Sequence, residues 1–569
     1  MVRTRRDSFR GRIWKIPEPR DLEPIPGTPY PDFVTKLLRQ RGVKDQHAAA
    51  VFLFDEPIPE PDPTLLGGFT AALDRIEAAI RRGETMAVYG DFDVDGVTAT
   101  VILTEVIRDL GGRVIPYIPD RFQEGYGVHD AALDQLDRDG VSLVITADCG
   151  LSSREEVAAA GARGQEVVIF DHHAIPTALP AAAAIVHPEH DNAGYPNTAL
   201  STGGLAYRFA PALMERCGRS PEPTRWLDLA TLSTIADVMP LTGENRGIVR
   251  EGLRAIARSS RPGLRALREV AGYAGKEIDV EAVSFGLAPR INAAGRLTHA
   301  MRAFDLLIET DDERARVLAK ELDDRNQERQ RLTAEALARA RAHLADDAPA
   351  APITIIGDPE IPQGIVGLVA GRLADEYYRP AVVYEEKPDA CRGSCRSIPE
   401  FNITEALKNC GELFERYGGH RAAAGFTARP EAMPQIRERL TAEAAKKLQG
   451  VRLEPRIEVD GQVPLSALRG SQVAWLSRLG PFGANNPAPA FVSNNVLIAN
   501  ARRIGNGDEH LRLTLRDGST SWAAIGFRLG ACPVQAGDRV DLVWSLRSAN
   551  GAGERRVELE VQDLAPASA

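Results

Sequence analysis

Met86-Ala-Val-Tyr-Gly-Asp-Phe-Asp-Val-Asp-Gly96 is the stretch from which the fold can be read. Residues 86–89 form a short apolar run and Gly90 ends it. Asp91, Asp93 and Asp95 then alternate through a loop that leads into a helical pattern over 97–110, closed by Gly111-Gly112. Working outward, apolar runs at 114–118, 143–147 and 167–170 alternate with helical patterns at 129–138 and 152–161. Such alternation predicts βαβ units and a parallel sheet covered on both faces. Ligands of such sheets sit beyond the carboxyl ends of the strands, so that edge is where reactive residues are expected.

Residues 200–310 read as mostly helical. From 311 to 344 the chain is rich in Ala, Arg, Glu and Leu and has no Gly or Pro; at 1.5 Å per residue it makes a rod of about 50 Å, a length that joins two domains rather than filling one core. A second α/β unit follows, with a strand at 353–356, a helix at 364–378 and a strand at 381–384. Residues 455–565 carry short alternating runs (512–515, 540–544, 556–561) between Gly and Asp turns, the signature of a β-barrel or sandwich. The expected fold class is α/β, with a parallel-sheet domain, a long helix, a smaller α/β domain and a C-terminal barrel. The expected division is 1–70 (arm and lead-in), 71–310, 311–348 (connecting helix), 349–450 and 451–569. The basic start, with Phe9 and Trp14 interleaved, reads as a ragged, solvated terminus rather than a nucleic-acid arm. Pro-rich stretches at 17–31 and 57–63 read as linkers around a helical segment at 31–53.

The 569 residues suggest about four domains. With 26% charged and 44% hydrophobic residues there is material for several cores, and the net charge of −10 excludes a bulk polycation. A local basic groove could still bind phosphates. Disulfide-rich and collagen-like classes are excluded, and no apolar run approaches a membrane span. The six cysteines are scattered, and Cys391 and Cys395 lack the second pair of a zinc ribbon. Together with the absence of an apolar segment after the basic start, this gives an expectation of reduced thiols in a cytoplasmic protein.

Asp91, Asp93 and Asp95 follow the first strand, Asp148 follows the run at 143–147, and Asp171-His172-His173 follows the run at 167–170. Asp237 lies in the otherwise apolar segment Thr-Leu-Ser-Thr-Ile-Ala-Asp-Val-Met-Pro. Hard carboxylates with imidazole are a ligand set for Mn²⁺ or Mg²⁺. A single Asp after a strand is often just a helix N-cap, but here three consecutive strands of one sheet end in ligand chemistry. Uncompensated carboxylates in one cleft raise each other's pKa, and a divalent ion removes that conflict. Two such ions activate a water and stabilise charge on phosphoryl oxygens.

These motifs resemble the DHH phosphoesterase superfamily: an Asp-x-Asp-x-Asp-Gly string, a strand-terminal Asp, Asp-His-His and a later Asp. Gly418-Gly419-His420-Arg-Ala-Ala-Ala-Gly425-Phe426, preceded by Gly393-Ser394-Cys395-Arg396-Ser397, resembles the associated DHHA1 domain. With Leu-Gly-Pro-Phe-Gly-Ala-Asn-Asn-Pro-Ala-Pro-Ala-Phe at 479–491 and the β-rich tail, the order resembles the RecJ family of single-stranded-DNA exonucleases. The resemblance implies metal ligands at Asp93, Asp95, Asp148, His172 and Asp237. It implies catalytic roles for Asp91, for His173 facing the phosphate, and for Arg296. It implies substrate contacts from Arg290, Asn292, Ser394, Arg396, Gly419 and His420. Arg121 and Tyr126, in a loop just past a strand end, are further candidates for contact with a nucleotide.

The implied activity is hydrolysis of single-stranded DNA from 5′ to 3′, to mononucleotides, in recombination and repair, with two Mn²⁺ or Mg²⁺ ions. The polarity comes wholly from the resemblance. Single-strand-binding protein and a RecQ-type helicase are the implied partners, and a monomer without membrane attachment is expected. Three other readings stay open: a phosphodiesterase of short oligoribonucleotides or cyclic dinucleotides, a DNA-binding relative without catalysis, and an inorganic pyrophosphatase. The third domain at 451–569 weighs against the phosphodiesterase and the pyrophosphatase, and the intact ligand set weighs against the relative without catalysis.

Overall fold

The computed structural model describes residues 2–18, 23–192, 194–222, 224–344, 351–551 and 554–567. It divides into two compact units, one of residues 1–323 with 457–569 and one of residues 324–456.

In the first unit, strands Arg113–Tyr117, Thr85–Gly90, Val141–Ala147, Glu166–Phe170 and Ala184–Val186 lie side by side in that order, all parallel. Residues such as Val88, Ile145 and Val168 point into one apolar cluster, and their neighbours Ala87, Val144 and Ile169 into another on the opposite face. Burial on both faces is why these strands read as unbroken apolar runs. The chain enters at Thr85–Gly90, steps to one side, and then returns past it to build the other side. The strand order therefore reverses between Thr85–Gly90 and Val141–Ala147, and a crevice is expected at their carboxyl ends. The helix Val94–Asp109 is buried almost all round, against the helices Thr202–Arg216 and Leu227–Ala236.

The same unit contains a closed five-stranded barrel. Phe491–Ile504, His510–Asp517, Thr520–Gly526, Glu554–Pro566 and Arg539–Gly551 pair in turn, and the last pairs back with the first. The expectation of a ragged terminus is overturned. Val2–Arg5 and Ile13–Pro17 form an antiparallel hairpin. Trp14 is fully buried, and its indole Nε1 donates to Asp563 at 2.8 Å. The apolar side chains of the lead-in, among them Ile25, Val34, Leu38 and Leu53, share one core with Leu479, Phe491 and Trp544 of the barrel segment. An amphipathic terminus lacking a core of its own has found one far along the chain.

In the second unit, Arg416–His420, Ala423–Ala428, Cys391–Arg396, Ala381–Glu386 and Thr354–Asp358 form a mixed sheet in that order, with only the last two parallel. Helices Gln363–Tyr377 and Met433–Leu448 contribute to separate apolar clusters, both shared with the sheet. The predicted rod is the 33-residue helix Asp312–Leu344. Its Ala315, Leu318 and Leu322 belong to the first unit's core, and its Ala336 and Ala340 to the second's. Residues 345–348 of the expected connector lie outside the described residues.

Candidate metal centre

Each cluster at the carboxyl edge of the parallel sheet is placed by the local geometry that ends its strand. After Thr85–Gly90 the chain turns directly into the helix Val94–Asp109, and Asp93 caps it by accepting from the backbone N–H groups of Asp95 and Gly96. A side chain on Gly96 would run into the backbone of Asp91 at 2.5–2.7 Å, so only glycine permits this tight entry. Asp148 ends Val141–Ala147 with φ of 68°, a left-handed conformation held at a strand end. Asp237 comes from a different kind of element, the C-terminus of the helix Leu227–Ala236, followed by Val238 with φ of 57°. A β-branched residue there is strained, and such strain gathers at functional sites.

These residues converge. His172 Nε2 lies 3.3 Å from Asp148 Oδ1, 3.3 Å from Asp237 Oδ2 and 3.5 Å from Asp95 Oδ2. Among the described residues, three groupings have ligand atoms within 4.8 Å of one another: Asp91, Asp93 and Asp148; Asp95, His172 and Asp237; Asp148, His172 and His173. Burial and mutual repulsion raise the carboxyl pKa values of Asp91, Asp93 and Asp148, and that of Asp237 to about 8. Burial lowers that of His172, outweighing Asp95. Asp91 Oδ1 and Asp237 Oδ2 are buried and accept no hydrogen bond. Unsatisfied carboxylate oxygens beside an imidazole that resists protonation fit a hard divalent cation, which would occupy those lone pairs.

Sequence profiles of three families match the chain in order: the DHH family, N-terminal domain, at residues 85–234, the DHHA1 domain at 350–446, and the RecJ OB domain at 459–563. The single-stranded-DNA-specific exonuclease RecJ of Bacillus subtilis is 35% identical over 94% of this chain and 68% of its own length. That of Dickeya dadantii is 31% identical over 95% of this chain and 98% of its own. The crystal structure of RecJ from Thermus thermophilus in complex with Mn²⁺ matches with a TM-score of 0.80 at 31% identity, covering 95% of this chain and 76% of that one. Its Mg²⁺ complex matches at 0.75. The chain belongs to the RecJ family.

Among the RecJ motifs, Asp171 was not singled out as a site residue from the sequence, yet it organises the histidines. Its Oδ1 accepts from the backbone N–H of His172 (2.8 Å) and His173 (3.1 Å) and from His173 Nδ1 (2.7 Å), and its Oδ2 accepts from Leu151 N. Burial opposes ionisation of both partners, but their hydrogen bond prevails. It holds Asp171 below the ordinary carboxyl range and lifts His173 to about 9. His173 is also the more open ring, with 37% of its side chain exposed against 12% for His172. The start of the helix Thr202–Arg216 was missed too. Thr202 N and Gly203 N donate to the two oxygens of Asp95 at 2.8 and 2.7 Å, and Thr202 Oγ1 donates to Asp148 at 3.1 Å. Ser233 Oγ adds a bond to Asp95 at 2.5 Å. The sequence signal was Ser201-Thr202-Gly203-Gly204, a helix cap with two glycines that allow close approach.

Asn292 Oδ1 accepts from Val94 N at 3.2 Å, so it braces the aspartate loop. Arg290 donates to Asp323 at 2.9 Å and to the Gly286 carbonyl at 2.7 Å. Arg296 lies in the last turn of the same helix, Ala288–Leu297, whose Gly295 approaches the Phe92 carbonyl too closely for a side chain. The Arg121 guanidinium stacks over Phe92 at 4.7 Å. Tyr126 is half exposed, and its hydroxyl donates to the Asp148 carbonyl at 3.3 Å. In the second unit, Arg396 donates to Ser394 Oγ at 2.8 Å on one strand, while Gly419 (φ 140°) and His420 lie on the exposed edge strand Arg416–His420.

Proposed function

We propose that this chain is a metal-dependent exonuclease that degrades single-stranded DNA from 5′ to 3′ to mononucleotides in recombination and repair. The observation that carries the reading is the convergence of Asp95, Asp148 and Asp237 on His172 at the switch point of a RecJ-family sheet, with Asp91 Oδ1 and Asp237 Oδ2 buried and accepting no hydrogen bond. Asp93, Asp95, Asp148, His172 and Asp237 hold two ions, with Asp91 beside them. Bound there, Mn²⁺ or Mg²⁺ lowers the pKa of a water and offsets charge growing on the phosphoryl oxygens. Asp171 holds His173 with its remaining ring nitrogen available to a phosphate oxygen. Arg296 adds positive charge, Asn292 keeps the aspartate loop in place, and Arg290 ties its helix to Asp323. Arg121 and Tyr126 border the site and serve the nucleotide. Ser394, Arg396, Gly419 and His420 are assigned to substrate binding on the family resemblance.

The closed barrel supports single-strand binding and speaks against the oligoribonucleotide or cyclic-dinucleotide reading. Single-strand-binding protein and a RecQ-type helicase are the proposed partners, and the cytoplasm is the proposed location. Among the described residues, no helix is long and apolar enough to cross a membrane. The test is an oligonucleotide labelled at either end, incubated with Mn²⁺ or with EDTA, beside Asp93→Ala protein and a hairpin without a free single strand. Early release of the 5′ label as mononucleotide with Mn²⁺ alone is expected. Intact DNA with cleavage of two- to five-nucleotide RNA would overturn the reading.

A further inference from the structure

The string at 479–491 helped to place the chain in its family, but the metal chemistry leaves it without a task. In the structure its loop 479–487 is a closed unit. Gly483 N donates to the Asn486 carbonyl (2.9 Å), and Asn486 N donates back to Gly483 (3.1 Å). The buried Asn486 amide donates to the carbonyls of Leu479 (3.0 Å) and Pro481 (2.8 Å), and its Oδ1 accepts from Arg41 Nε at 3.2 Å. This loop touches the stretch that carries Asp237. Leu241 N, four residues beyond Asp237, donates to the Ala484 carbonyl at 2.8 Å. Gly483 lies so close that a Cβ there would meet the Leu241 side chain at 2.7 Å.

A second link comes from Arg246, one turn into the helix Gly243–Arg258 that follows. Its guanidinium is buried, sits 4.0 Å from the ring centre of Phe52, and donates to the carbonyls of Leu479 (2.9 Å), Gly480 (2.6 Å) and Pro481 (3.3 Å). The turn between Asp237 and that helix holds the strained Val238, which is 68% exposed. Val238 has little packing to secure it, so its conformation depends on what anchors the two ends of the turn.

We infer that the 479–487 loop, clasped by Arg246, is the outer support of the Asp237 turn, which makes Arg246 and Gly483 positioning residues for the metal centre. The inference rests on the reading of Asp237 as a metal ligand. It assigns the barrel segment a duty in metal binding that is separate from any contact with DNA.

The test is Mn²⁺ binding to the full chain without DNA, read as loss of the free-ion electron paramagnetic resonance signal, with melting in EDTA measured alongside. Arg246→Gln should weaken Mn²⁺ binding by about tenfold or more, the scale of losses when a ligand loses its outer support. Arg246→Lys, which keeps a cation with fewer donors, should fall between. Arg478→Ala is the control. The Arg478 side chain holds the Leu53 carbonyl and Asp55, so this variant should lower the melting temperature and leave Mn²⁺ binding within twofold. If Arg246→Gln does not fold, Gly483→Ala takes its place and should show a smaller loss in the same direction. Wild type that binds no Mn²⁺ would overturn the metal reading and this inference with it. Wild type that binds, with Arg246→Gln and Gly483→Ala both within twofold of it, would overturn the inference alone. So would equal losses from Arg246→Gln and Arg478→Ala, which would mark general loosening.

Discussion

Asp148 and Asp358 stand at matching places, each at the carboxyl end of a strand in an α/β sheet, and their surroundings are opposite. Asp358, in the second unit, accepts from Arg339 at 3.0 and 3.1 Å, from His343 at 3.3 Å and from Glu360 N at 2.8 Å. Burial pushes its pKa up, but those donors win and it ends below the ordinary value. Asp148 is buried among Asp91, Asp93, Asp95 and Asp171, accepts one side-chain bond from Thr202, and is driven far upward. The position of an aspartate at a strand end therefore does not decide its role; what faces it does. Asp358 faces side-chain donors that balance its charge, whereas Asp148 is crowded by the carboxyl groups of Asp91, Asp93, Asp95 and Asp171, a conflict that a divalent ion would remove.

The contrast is sharpest in a pair of substitutions. Asp148→Asn should reduce exonuclease turnover on the order of a thousandfold or more, while the metal-free protein melts no lower than wild type because a buried acid crowded by other carboxyl groups is gone. Asp358→Asn should leave turnover within about threefold and lower stability by about 1–2 kcal/mol, a modest figure because Arg339 and His343 are half exposed to solvent. Nuclease assays and thermal melts in EDTA read both, and a lower metal-free melting temperature for Asp148→Asn would break the comparison.

Asp171→Asn, which keeps the side chain's shape but weakens its hold on His173, should cost about 10- to 100-fold in kcat or in metal affinity. Acidity gives an effect of similar size. Metal-free Asp237 keeps its proton up to about pH 8, far above the range in which an ordinary carboxyl is released. In the folded, metal-free chain this raised pKa makes stability fall as pH rises from the ordinary carboxyl range to about 8. An ion must displace that proton and those held by Asp93 and Asp148, so Mn²⁺ affinity should climb by about tenfold per pH unit or more up to about pH 8. Titrations between pH 6 and 9 check this, and a flat profile would contradict it. In the second unit, where Arg396 is proposed to meet a phosphate, Arg396→Ala should raise KM for single-stranded DNA by about tenfold, with Mn²⁺ binding unchanged.

The sequence disclosed what short-range pattern carries. The run 86–89 and the aspartates after it, the Asp-His-His string and the 33-residue helix all rest on apolar periodicity or on motifs within about ten residues. Asp237 was legible as a carboxylate in an apolar helical segment, though not as the residue that ends the helix. What stayed hidden depends on contacts over long separations. No local pattern says that Thr202 and Gly203 will hold Asp95, that Asn292 will reach Val94, or that Trp14 will bond Asp563. The basic terminus looked solvated because its charges are local and its burial partners are not.

The most direct measurement is the number of Mn²⁺ ions bound per chain, counted by electron paramagnetic resonance on wild type and on Asp148→Asn protein. Two ions on wild type and at least one fewer on the variant are predicted. No ion bound, or equal counts on the two proteins, would contradict a metal centre built on the carboxylates gathered around His172 at the edge of the parallel sheet.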